Sequence, residues 1–191
     1  LRSIDAFWLV YWGEAPMVEY GGLIADEGFE QTAALVEDHM GEPLYSYRYD
    51  RAQPDEVARF GELFALNAAA APERAAPGET LDVFLWWRAS EPVPLDYSVS
   101  VVGLDAQGNI VAQHDSSPLE GLSPTSDWPP GTLRLDVHRV ALPPSLAAGK
   151  YDLGVRVYWY GDQQPLEVLQ DGQLPGDRAI IGTVAVGADR D

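Results

Sequence analysis

From Val57 onward the chain is a series of short runs in which apolar and polar residues alternate, each closed off by Pro, Gly or Asp. Alternation with period two places every second side chain on one face of a strand, so it demands half-buried sheet and is incompatible with a helix. In Tyr97–Leu104, Tyr97, Val99 and Val101 share the inner face, with Asp96, Ser98 and Ser100 opposite. Asp105-Ala-Gln-Gly108 then makes a hairpin turn, with glycine where a positive φ is needed, and Asn109–His114 returns. Leu81–Arg88 turns Leu81, Val83, Leu85 and Trp87 to one side, and Tyr151–Tyr160 does the same with Tyr151, Leu153, Val155, Val157 and Trp159. Thr132–Leu142 is read with Leu133, Leu135 and Val137 inward and Arg134, Asp136 and His138 outward. With Phe60–Ala69 and Ala179–Val186 this makes seven strands, which predicts a mainly β fold: an antiparallel, jelly-roll-like two-sheet β-sandwich over residues 57–191.

Residues 1–56 have a different character, holding 12 acidic and 3 basic residues. Ala6–Trp12 is a short aromatic and apolar run that predicts a buried strand. Phe29, Ala33, Val36 and Met40 recur at helical spacing, which predicts a helix over Phe29–Met40 stopped by Gly41. Leu44–Tyr49 alternates again and sets Tyr45, Tyr47 and Tyr49 on one face. The expectation is a small acidic α/β unit, strand–helix–strand, ahead of the sandwich. It carries no GxGxxG after its first strand, which argues against dinucleotide binding.

Charge narrows the partners. The net charge of −18 repels phosphate backbones and anionic lipid headgroups, so neither nucleic acid nor direct membrane insertion is expected. There is no cysteine, hence no disulfide, thiolate metal site or thiol nucleophile. The run Ala6–Trp12 is too short to span a bilayer and lacks the flanks of a signal peptide. With Leu1 in first place, the chain reads as a fragment of a longer protein.

Catalytic chemistry finds little footing. The histidines are His39, His114 and His138, with no Gly-x-Ser-x-Gly elbow to pair with them, and no catalytic residue is assigned. His39 is expected at the end of the acidic helix and His138 on an outward strand face. The loop Asp115–Gly131 gathers His114, Asp115, Glu120 and Asp127 where a strand gives way to four prolines. Oxygen-rich loops at sandwich ends can hold Ca²⁺, which makes Asp115 and Asp127 weak metal candidates, although no calcium-loop spacing is present and turn formation explains both residues. No cofactor is assigned. Carboxylates in this loop also leave open a hydrolase reading. Trp86, Tyr158 and Tyr160 fall on faces opposite the core set, and Trp128 stands beside Pro129-Pro130. Flat rings on a sheet face can stack on sugars; the same rings can instead pack on the N-terminal unit, and packing is favoured. The candidate ligand-binding set is therefore Trp86, His114, Asp115, Asp127, Trp128, Tyr158 and Tyr160.

An ordered series of motifs carries a family resemblance. It runs from Leu81-Asp-Val-Phe-Leu-Trp-Trp-Arg88 through Asp96-Tyr97-Ser98-Val99 and Asp105-Ala-Gln-Gly108 to His114-Asp115, Pro118 and Gly121. It continues with Pro124-Thr125-Ser126-Asp127-Trp128, Pro130-Gly131, Asp136, Leu142-Pro143 and Gly149-Lys-Tyr151-Asp-Leu153. This series resembles the soluble C-terminal domain of bacterial, Chloroflexi-type, lipid-carrier-dependent membrane glycosyltransferases of the protein-mannosyltransferase-like kind, and Phe7-Trp-Leu-Val10 is similar to the segment before that domain. Val155-Arg-Val-Tyr158 departs from the family's frequent Val-Gly-Leu-Tyr. The resemblance implies a non-catalytic, extracytoplasmic accessory domain at the cell surface. It would be tethered through a membrane-embedded region of the parent enzyme, which holds the transfer chemistry, and would recognise glycan or acceptor or act as a scaffold. A free-standing carbohydrate-binding or adhesive module is the alternative.

Overall fold

The computed structural model describes residues 6–12, 24–26, 28–39, 42–51 and 55–187. Its strands are β1 (Ala6–Trp12), β2 (Phe29–His39), β3 (Glu42–Arg51), β4 (Ala58–Phe60), β5 (Phe64–Ala70), β6 (Arg74–Ala75) and β7 (Thr80–Ala89). They continue as β8 (Tyr97–Leu104), β9 (Ile110–Ser116), β10 (Leu133–Ala141), β11 (Gly149–Trp159), β12 (Val168–Leu169) and β13 (Ala179–Val186). Two short 3-10 turns, Pro118–Gly121 and Thr125–Asp127, lie in the loop between β9 and β10.

Two five-stranded sheets make the sandwich, one in the order β10-β7-β5-β4-β12 and the other β6-β13-β11-β8-β9. Pairing is antiparallel apart from the short β13–β6 ladder. The inward sets expected for Leu81–Arg88, Tyr97–Leu104 and Tyr151–Tyr160 meet between the sheets. Phe60, Phe64, Leu66, Leu81, Val83, Leu85 and Trp87 from one sheet pack on Val99, Val101, Leu153, Val155 and Val157 from the other. Trp87 meets Phe60 edge-on at 5.1 Å. Burying such a set supplies the main driving force of the fold. The predicted strand Phe60–Ala69 is broken at Gly61, whose φ of 53° lets β4 turn back into β5.

The helix expected over Phe29–Met40 is not formed by its described residues, Phe29–His39. Phe29–His39 is strand β2 in an antiparallel sheet ordered β1-β3-β2, paired along β3 from Phe29↔Arg51 to His39↔Glu42. The helical spacing has a physical origin: the register slips between Gln31 and Ala33, and a bulge inserts one residue into the period-two pattern. Phe29 packs with Tyr49 and Phe7 on one face, while Ala33, past the bulge, lies opposite Arg48 on the other, so buried residues of both faces combine into a helix-like spacing, with Thr32 between them bonded to the buried Asp50. The side chain of His39, and Met40 and Gly41 entirely, lie outside the described residues.

This third sheet lies over the outer face of β7 and β10. The Arg48 guanidinium sits 5.7 Å from the Phe84 ring centre, and Arg88 makes a two-pronged pair with Glu30 at 2.6 and 2.9 Å. The covering inverts the expected faces of β10. Leu133 and Leu135 lie opposite Arg88 and Trp86, on the side of the N-terminal sheet, whereas Arg134, Asp136 and His138 lie opposite Trp87, Leu85 and Val83 on the inner side. Asp136 and His138 are fully buried. With both faces of β10 covered, alternation no longer marks which side is the core.

Candidate functional site

The outer face of the second sheet carries a cross-strand row of polar side chains. Register sets Asp115 of β9 beside Ser100 of β8, and Ser100 beside Arg156 of β11; the next rung pairs Ser98 with Tyr158. Gln113 precedes Asp115 by two residues and shares its face, and Gln163 reaches in from the loop after β11, where its φ is 57°. Ser100, Gln113, Asp115, Arg156, Tyr158 and Gln163 line a cavity of about 230 Å³.

Each member is held by its neighbours. The Tyr158 hydroxyl donates to Asp115 Oδ1 at 3.3 Å, and the Gln113 amide donates to Asp115 Oδ2. Arg156 is paired with Asp177 at 3.1 Å, and Asp177 with Arg178 at 2.8 Å. Burial, and then the facing Asp115 carboxylate, hold the Tyr158 phenol above its usual range, so it remains a neutral donor. The Asp177 carboxyl is held below the usual range, chiefly by its hydrogen bond from Arg178. Ser100 is 2% exposed, and its Oγ, like Arg156 Nε, is buried without a hydrogen-bond partner. Ser100 and Arg156 thus bring two unpaired buried polar atoms to residues that line this cavity.

A second cluster spans the edge where the sheets end. His114 Nδ1 and His138 Nδ1 lie 3.0 Å apart, His138 Nε2 is 2.9 Å from Asp136 Oδ2, and His114 Nε2 is 3.4 Å from Glu120 Oε1. Asp136 Oδ1 accepts the Leu119 backbone N–H at 2.9 Å. The turn it holds is left-handed at both Leu119 (φ 50°, ψ 45°) and Glu120 (φ 55°, ψ 33°), which non-glycine residues adopt only when their surroundings impose it.

A groove of about 350 Å³ separates the N-terminal sheet from the outer face of β7 and β10, with Trp8, Leu35, Phe84, Leu122 and Leu135 among its walls.

Within the candidate ligand-binding set, only Asp115 and Tyr158 come together. His114 is the immediate neighbour of Asp115 but points to the other face, toward His138. Trp86 is half-buried beside Phe84, on the face turned to the N-terminal sheet. Trp128 is 4% exposed: its indole N–H donates to Ser123, and its ring meets Phe64 edge-on, so it plugs the end of the core. Tyr160 follows β11 and is largely exposed, and Asp127 is exposed in its 3-10 turn. Asp115 already engages both carboxylate oxygens, and among the described residues no three His, Cys, Asp or Glu converge as a metal ion requires. Sequence reasoning passed over Gln113, Ser100 and Gln163. The strand pattern did hold the first two, since each lies on the outer face next to a residue that was chosen. No helix among the described residues is long and apolar enough to cross a membrane. Comparison of the chain with protein-family models and with curated proteins finds no match.

Proposed function

We propose that this chain is a non-catalytic, extracytoplasmic accessory module of a membrane glycosyltransferase, and that it engages a glycan or glycosylated acceptor on the outer face of β9, β8 and β11. The observation that carries the reading is the row Asp115–Ser100–Arg156 with its two unpartnered buried polar atoms. Sugar hydroxyls donate and accept at once. The row offers them an accepting carboxylate, a donating guanidinium, two amides that do both, and the Ser100 hydroxyl. Asp115 and Arg156 carry opposite charges, which favours a neutral polyhydroxylated ligand over an ionic one. A non-catalytic role is supported by the engagement of His114 and His138 with each other and with carboxylates, in place of a nucleophile.

The test is a saccharide screen by ligand-observed NMR on the intact chain, repeated with Asp115→Asn and Ser100→Val. Binding of a neutral oligosaccharide that weakens about tenfold or more in Asp115→Asn is expected, as for loss of one charged hydrogen bond. Binding by no saccharide would remove recognition and leave the scaffold role. A free-standing adhesive module would use the same row; a parent gene that encodes no membrane-spanning region would favour it.

A further inference from the structure

The histidine pair has a proton count that its geometry dictates. Asp136 Oδ2 accepts a hydrogen bond from the His138 imidazole when the carboxyl is ionised, which puts a proton on His138 Nε2 and leaves its Nδ1 a bare lone pair, whereas the exposed Glu120 Oε1 lies 3.4 Å from His114 Nε2. Neutral His114 carries its one N–H on Nδ1 and donates it to His138 Nδ1 across 3.0 Å. One further proton goes to His114 Nε2, facing Glu120, and leaves that hydrogen bond in place. A second further proton would set N–H against N–H. We propose that His114 and His138 share a single proton and so form a pH-dependent latch that fastens the left-handed turn Pro118–Gly121 across the open edge of the sandwich.

Three features of the fold make this a latch. First, β9 and β10 are the terminal strands of their sheets, so the imidazole pair ties together two edges that share no backbone ladder. Second, Asp136 holds both ends of the arrangement, accepting from His138 with one oxygen and from the Leu119 amide with the other. Third, the turn is conformationally unfavourable at Leu119 and Glu120 and relaxes unless it is pinned. The charged surroundings are few. From β10 come Asp136 and, two residues away on the same face, the partly buried Arg134; from the turn comes Glu120. The opposing positions on β7 and β8 are Val83, Leu85 and Val101, which bring no charge. With that further proton on His114 Nε2, one positive charge meets two carboxylates. Its removal leaves the His114 Nε2 lone pair facing Glu120, which is exposed and swings out to water. Addition of another proton breaks the Nδ1 contact itself and pushes the edges apart.

Imidazoles change charge over about pH 5–8, so the experiment follows Leu119 amide exchange across that range on the intact chain, corrected for the intrinsic pH dependence of exchange. Protection is expected to fall about tenfold toward acid, as for loss of one buried hydrogen bond. In His114→Asn the side-chain amide can donate to or accept from His138, and the acid response is expected to vanish. An unchanging profile in the native chain, or the same acid response in the variant, would overturn the latch. Should that variant not fold, imidazole ¹⁵N shifts of the native chain decide: a proton on an Nδ1 of the pair supports it, and two Nε2–H rings with bare Nδ1 atoms refute it. Stoichiometric binding of Zn²⁺ or Cu²⁺ alone, lost in His138→Asn, would make a metal the bridging cation and overturn the shared proton.

Discussion

Replacing Asp136 by alanine tests whether this carboxylate holds the edge of the sandwich. The side chain is 0% exposed and accepts from two donors, the Leu119 N–H and His138 Nε2. Alanine leaves both donors without an acceptor where water does not reach, at about 1–3 kcal/mol each. The two losses together are expected to cost about 2–6 kcal/mol. Asparagine has nearly the same shape and behaves differently. Its carbonyl still accepts from Leu119, and its amide donates to His138 once that ring moves its proton to Nδ1, so the expected cost is about 1 kcal/mol. Urea unfolding followed by tryptophan fluorescence measures both, with the slope checked for change before midpoints are compared. Alanine and asparagine variants that agree within about 0.5 kcal/mol would refute the reasoning, because the hydrogen bonds would then contribute no more than the lost volume.

Two further outcomes follow from the charges. Arg88→Met removes the two-pronged contact with Glu30 that ties β2 to β7. Both side chains are partly exposed, so solvent screening limits the effect to about 1 kcal/mol. Amide exchange in Phe29–His39 should speed up at low salt while β8 and β11 stay protected, and unchanged exchange in β2 would refute the tie. The phenols of Tyr97 and Tyr158 are held above their usual range, mainly by burial. The unfolded chain then gives up these protons before the folded one does. Stability is therefore unaffected below the ordinary phenol range, about pH 10, and falls as the pH rises through it. Asp115→Asn removes the second cause at Tyr158, and an ultraviolet titration should show that phenol ionising at lower pH than in the native chain.

Apart from the two-residue β12, the strands from β7 onward were legible in the sequence because a sheet with one face on the core imposes alternation. Tyr97–Leu104 and Ala179–Val186 coincide with β8 and β13 to the residue. The outward position of Ser100, Arg156 and Tyr158 followed from the same rule, whereas Asp115 was expected at the start of the loop and lies in β9. What brings them together is register, which depends on the hydrogen-bond ladders between β9, β8 and β11 and is not written in any one strand. Phe29–His39 was misread as a helix because a bulge mimics helical spacing, and pairing with β3 overrides the local preference. His138 was assigned to the solvent side for a related reason: the N-terminal sheet buries the outer face of β10, so its apolar residues turn outward and its Asp and His turn in. Local alternation follows from the chain alone; which face is the core follows from what packs against it.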